Sequence, residues 1–265
     1  VSYDSVTAAR GEYKHFMLKE IYEQPEAVVS TMGGRVLFDK STVDLDDFPL
    51  SDEEIGAIDK IVLLGMGTSL HAAMVGRHWI ESLARIPAEA DNSSEFRYRD
   101  PIIDERTLVI SVCQSGETAD TLAALRYCRD KADSIVSVVN VETSSIARES
   151  DLALPIHAGV EIGVASTKAF TCQLNVLLLL AIKAASERGH MDAADKAALL
   201  AQLRALPGLF NATLDRDGTM EAAAQKIAEA RDVLFLGRGL MYPIAYEGAL
   251  KLKEISYIHA EAYAS

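Results

Sequence analysis

Four short apolar runs constrain this chain more than anything else in it. Residues 60–64 (KIVLL), 107–113 (TLVISVC), 134–139 (SIVSVV) and 151–154 (DLAL) read as strands. The first two each end in a small, polar turn and hand over to a helical pattern. Their hydrophobicity is nearly continuous rather than alternating, which requires both faces of the sheet to be covered. Strand and helix therefore alternate as a parallel sheet between helical layers. Ligands of such sheets bind beyond the carboxyl ends of the strands. The turns at 65–69 (GMGTS) and 113–118 (CQSGET) sit at those ends.

The 265 residues give one large domain or two modest ones, with ample material for a core. A formal net charge of −13 argues against nucleic acid, whose backbone needs a Lys/Arg surface. It does not exclude a small phosphorylated ligand, which needs only local donors. The three cysteines, Cys113, Cys128 and Cys172, suit neither zinc nor a disulfide framework, and a reducing cytoplasm is expected. The longest apolar run, 176–182, is too short to span a bilayer, and no signal peptide is visible, so no membrane association is expected. The histidines form no ligand spacing with cysteines or carboxylates, and no metal is expected. The chain starts at Val1 and stops at Ser265 inside a segment that reads as structured, so both ends are expected to be cuts.

The opening segment has helical spacing to about Met32, where Gly33-Gly34 stops it; 44–54 reads as an acidic connector. A long apolar helix follows 161–166 and runs to about Ser186, and 192–206 and 220–230 read as connecting helices with Pro207-Gly208 as punctuation. Then the pattern restarts. "VLLGMGTSLHAAM" (62–74) is similar to "LFLGRGLMYPIAY" (234–246), so that Gly65 and Gly67 recur as Gly237 and Gly239. A duplication stopping after its first strand and helix is expected.

Helix N-termini expose unpaired N–H groups and carry partial positive charge, so both small turns are candidate anion cradles. Thr68, Ser69, Ser115 and Thr118 add hydroxyls, and neither turn holds a lysine or arginine. The plainer alternative is that these residues are ordinary N-caps. A third turn, "EIGVASTKAFTCQ" (161–173), leans toward capping by Ser166 or Thr167. "EGALKLKEISYIHAEAY" (247–263) has helical spacing that places Glu247, Lys251 and Glu254 on one face. Lys251 and Glu254 are either a plain salt bridge or the carboxylate and lysine of a proton-abstraction site. His259 reads as a core histidine.

Together "GTS", "QSGETADTL", "SEFRYR", "EIGVASTKAFT", "LGRG" and "EGALKLKEISYIHAEAY" resemble the isomerase part of the glucosamine-6-phosphate synthases, the glutamine–fructose-6-phosphate aminotransferases. "MLKEIYEQP" resembles the segment joining that family's glutaminase and isomerase domains, and the likeness runs over nearly the whole chain. It implies an α/β fold of flavodoxin-like type: a three-layer αβα parallel sheet, the sugar-isomerase (SIS) domain, with the start of a second, truncated copy. The implied division is 1–50, N-terminal helix and linker; 51–206, first SIS domain; 207–265, connecting helices and the beginning of the second. The implied substrate is fructose 6-phosphate and the product glucosamine 6-phosphate, with glucose 6-phosphate as a further ligand, no cofactor, and a homodimer.

By the same resemblance Gly67, Thr68, Ser69, Cys113, Gln114, Ser115 and Thr118 hold the sugar phosphate, and Val164 and Ser166 lie near the sugar. Glu254 moves a proton between sugar C1 and C2, and Lys251 assists it. Cys113 departs from the family's serine, and a thiol is a weaker donor than a hydroxyl. The glutaminase domain, the ring-opening histidine and the lysine that forms a Schiff base are missing from the 265 residues, so weak binding and little catalysis are expected. The alternative is a non-catalytic sugar-phosphate sensor.

Overall fold

The computed structural model describes residues 10–45 and 52–265; part of the acidic stretch 44–54 lies outside them. The chain opens with α1 (Phe16–Tyr22) and α2 (Gln24–Met32), the antiparallel pair β1 (Val36–Leu37) and β2 (Thr42–Val43), and α3 (Asp52–Ala57). The break between the two opening helices falls at Pro25, which occupies the first turn of α2, where its missing N–H costs nothing.

The centre is a five-stranded sheet in the order β4-β3-β5-β6-β7, parallel throughout. Its strands are β3 (Lys60–Gly65), β4 (Ala88–Asn92), β5 (Thr107–Cys113), β6 (Ser134–Val139) and β7 (Leu152–Pro155). Between them run α4 (Thr68–Trp79), α5 (Ser93–Phe96), α6 (Ala119–Cys128) and α7 (Ser145–Arg148), and α8 (Lys168–Glu187) follows β7. The remainder is α9 (Ala193–Leu214), α10 (Asp217–Ile227), β8 (Asp232–Gly237), α11 (Met241–Ser256) and β9 (His259–Ala264), with β8 and β9 parallel.

The alternation of strand side chains builds two cores. Ile61, Leu63, Leu108, Ile110, Val136 and Val138 point to the face covered by α2, α4, α8 and α9. Val62, Leu64, Val109, Ile135 and Val139 point to the opposite face, covered by α6 and α7. This is the expected three-layer α/β arrangement. By length and mean hydropathy α8 is apolar enough to cross a membrane, but two thirds of that stretch is buried here against the sheet and its helices.

Several expectations are corrected. Strand β4 went unread because it is an edge strand of sequence AEADN; Arg99 gathers its carboxylates Glu89 and Asp91, and Lys60 pairs with Glu89. Pro207 does not punctuate but lies inside α9. The helical reading of 247–263 fails at Tyr257, which takes a left-handed φ of 60° and ends α11. Residues 259–264 form a strand, so the segment from Asp232 on is strand, helix and strand, not strand and helix alone. His259 is therefore no core residue: its side chain is 63% exposed, beside Asp232 and Glu261.

Candidate functional site

The chain leaves β3 toward β4 on one side and returns to β5 on the other. The order of strands thus reverses between β3 and β5, the point where open parallel sheets leave a crevice for ligands. The two glycine-containing turns both end here. Gly65 lets the first turn of α4 fold back onto the strand end, since a Cβ there would lie 2.8 Å from the Leu70 nitrogen. Gly67 precedes α4 with φ 52° and ψ −126°, a conformation suited to glycine. Gly116 has φ 67°, and a Cβ there would meet the Ser144 side chain.

Between the turns lies a cavity of about 180 Å³ lined by Met66, Ser69, Val112, Cys113, Gln114, Ser115, Thr118 and Thr121. It unites five of the anticipated binding residues: Ser69, Cys113, Gln114, Ser115 and Thr118. The capping alternative does not hold for either turn, because neither α4 nor α6 receives a side-chain cap at its N-terminus. The hydroxyls are thereby left for other partners. Ser115 Oγ accepts the Glu117 N–H at 3.2 Å, and Ser69 Oγ accepts the Gln173 amide at 3.0 Å. The Cys113 sulfur is turned into its own loop, 3.2 Å from the Gly116 nitrogen and 3.3 Å from Thr118 Oγ1. Burial raises the other two thiols, Cys128 to about 12 and Cys172 to about 11, so neither forms a thiolate at neutral pH.

A second polar cluster adjoins the first through Thr68. Lys251 Nζ lies 2.9 Å from Glu254, 3.3 Å from Glu247 and 3.0 Å from Thr68 Oγ1. Thr68 donates to Glu247 at 2.9 Å, and His71 Nδ1 lies 2.7 Å from the other oxygen of the same carboxylate. Glu247 and His71 are buried, whereas the Glu254 side chain is about one-third exposed. A carboxylate only accepts, so His71 Nδ1–H is the donor. The single Thr68 proton is committed to Glu247, which leaves Thr68 no donor for an anion. The arrangement is a lysine shared by an inner and an outer carboxylate, and only the outer one meets solvent freely. An accessible carboxylate beside an ammonium is a competent acid–base pair.

The third turn is built differently. Glu161 accepts the N–H groups of Thr167 at 2.8 Å and Ala169 at 3.2 Å and the Ser166 hydroxyl at 2.8 Å. The expected Ser166 or Thr167 cap is thus replaced by a carboxylate five residues before Ser166. Glu20 fixes the same loop through Gly163 N–H at 2.9 Å. Val164 is 98% exposed and does not line the cavity. Lys168 is buried and paired with Glu23 at 2.7 Å.

Sequence reasoning passed over Gln173 and Thr121, and it left His71 without a role. The one signal for Gln173 is a polar residue inside an otherwise apolar helix.

The SIS domain family matches residues 55–183 and 226–265. A glutamine–fructose-6-phosphate aminotransferase (isomerizing) from Zymomonas mobilis subsp. mobilis is 51% identical over 97% of this chain and 42% of its own length. One from Caldanaerobacter subterraneus subsp. tengcongensis is 46% identical over 99% of the chain and 43% of its own length. The chain therefore spans less than half the length of these curated relatives. The solved C-terminal domain of glucosamine-fructose-6-phosphate aminotransferase from Francisella tularensis is 42% identical, with TM-score 0.92 over 97% of this chain and 71% of that one.

Proposed function

The chain belongs to the SIS domain family, and on that premise we propose that it is the sugar-phosphate isomerase part of an aminotransferase that makes glucosamine 6-phosphate from fructose 6-phosphate and glutamine-derived ammonia. The observation that carries this reading is the cavity at the strand reversal, rich in hydroxyls and joined through Thr68 to the Lys251–Glu254 pair. A phosphate monoester offers only acceptors, and Ser69, Gln114, Ser115 and Thr118 supply matching donors. Ammonia replaces the C2 carbonyl oxygen of the ketose as an imine, and water leaves. Glu254 then takes a proton from C1 while the imine nitrogen gains one from solvent, giving an enolamine; Glu254 returns its proton to C2 and the C1 hydroxyl releases its own, which turns C1 into the aldehyde and C2 into the amine. Lys251, 2.9 Å away, holds that carboxylate in place. A sensor would have no use for this pair, so the catalytic reading is preferred.

A homodimer and a cytoplasmic location complete the proposal. Exposed Ile255 and Tyr257 at the end of α11 support the first, and three free thiols support the second. The test is calorimetric titration of glucosamine 6-phosphate into the chain and into its Ser69→Ala/Ser115→Ala variant. The variant is expected to bind about ten-fold more weakly or less. Equal affinity, with both proteins folded, overturns the site.

A further inference from the structure

A buried amide lies behind the cavity and has no structural duty that accounts for it. Gln173 is 1% exposed, inside α8, and its neighbours Cys172, Val176 and Leu177 are wholly buried apolar residues. Its Nε2 donates to Ser69 Oγ at 3.0 Å, across 104 positions of sequence. Its Oε1 is buried with no hydrogen-bond partner. A polar group left half-satisfied in a core is destabilising and calls for a reason.

We propose that Gln173 is a positioning residue that makes the Ser69 hydroxyl a one-way donor toward a phosphate monoester. The proposal rests on the reading of the cavity as the phosphate site. A hydroxyl has one proton and two lone pairs. The Gln173 amide occupies a lone pair of Ser69, and the Ser69 proton must then find its acceptor elsewhere. Ser69 lines the cavity, and the cavity is where an acceptor arrives.

The opposite wall repeats the device. Ser115 Oγ accepts the Glu117 N–H, and the other partner in reach is the Cys113 sulfur at 3.9 Å, a weak acceptor from which an anion in the cavity wins the Ser115 proton. A third hydroxyl, Thr121 Oγ1, is buried on the same lining and has no partner. Three alcohols are thus held ready to donate and short of acceptors to donate to. An oxyanion in the cavity accepts from Ser69 and Ser115, with Thr121 directly behind them. A neutral hydroxyl ligand, which must also donate, finds few free acceptors. Selectivity for a phosphorylated over an unphosphorylated sugar thereby arises without a lysine or arginine in the lining.

The experiment is a double-mutant cycle on the whole chain, with inorganic phosphate and glucosamine 6-phosphate as probes in calorimetry. Gln173→Met is expected to weaken both about five-fold in the Ser69 protein and to change nothing in the Ser69→Ala background. Gln173→Glu, isosteric but acceptor-only, captures the Ser69 proton and is expected to weaken both more than ten-fold. Should Gln173→Met fail to fold, Gln173→Glu carries the same cycle. Equal losses with and without the Ser69 hydroxyl overturn the inference and reveal a merely structural glutamine. Unchanged or tighter binding in Gln173→Met also overturns it. Tight wild-type binding together with either result leaves the phosphate reading of the cavity standing, while absence of wild-type binding removes both.

Discussion

The five-stranded unit and the β8–α11–β9 unit start from the same strand, Gly-x-Gly turn and helix, and they end as different objects. In the first, every residue of β5 and five of the six in β3 are buried. In the second, Leu234 and Leu236 of β8 are 64% and 65% exposed, and the covered face rests on Ala245, Ala249, Ala260 and Ala262 under α11. Both turns need their first glycine, since a Cβ at Gly65 or Gly237 would run into the following helix backbone. The turn itself is therefore a device for packing a helix against a strand. What sets the first apart is its neighbour: it faces a second hydroxyl-rich turn across the strand reversal. The second unit contributes instead through the flank of its helix, which delivers Glu247, Lys251 and Glu254 to Thr68.

The contrast breaks most visibly in stability. Leu63 is fully buried, and Leu63→Ala is expected to cost about 2–5 kcal/mol in urea unfolding. Leu234→Ala is expected to cost about 0.5 kcal/mol or less. Comparable losses would mean that β8 is covered in solution as β3 is here. Next in size is the seam between the units. Glu247→Leu strands the His71 N–H and removes one of the two carboxylates on Lys251, for an expected loss of about 1–3 kcal/mol. An unchanged midpoint would show the units to be independent. The smallest effect belongs to the first unit alone. Burial, aided by the Arg35 charge, holds His157 below the ordinary imidazole value, against a weaker pull from Glu142. The unfolded chain therefore takes up this proton at higher pH than the folded one. Stability contributed by the neutral ring is complete above about pH 6.5 and declines on acidification below it. His157→Asn, which tolerates the left-handed φ of 51° at this position, is expected to flatten that part of the stability–pH curve. An unaltered slope would assign it to other groups.

Residues with dense local signals were legible. The strands at 60–64, 107–113 and 134–139 carry nearly continuous apolar runs, and both glycine turns follow from the strand–helix handover. Strand β4 escaped because its stability comes from a neighbour's backbone and from Arg99, not from its own side chains. Strand β9 escaped because HAEAYA is rich in alanine and lacks β-branched residues, and because the helix before it supplies a pattern that runs on past Tyr257. In the site, the turns were visible and their backing was not. Gln173 reaches Ser69, and His71 reaches Glu247, over separations of 104 and 176 residues that no local pattern encodes. Pro207 shows the same limit in reverse: a strong local stop signal yields to a long helix.

The carboxylate of Glu161 seated on the first turn of α8 has a consequence for what the fold accepts. Five helices, α4 to α8, begin beyond the carboxyl ends of this sheet, and the last of those mouths is stoppered from within the chain itself. An anion arriving at that edge of the sheet finds the N–H groups of Thr167 and Ala169 already taken and a carboxylate in its way.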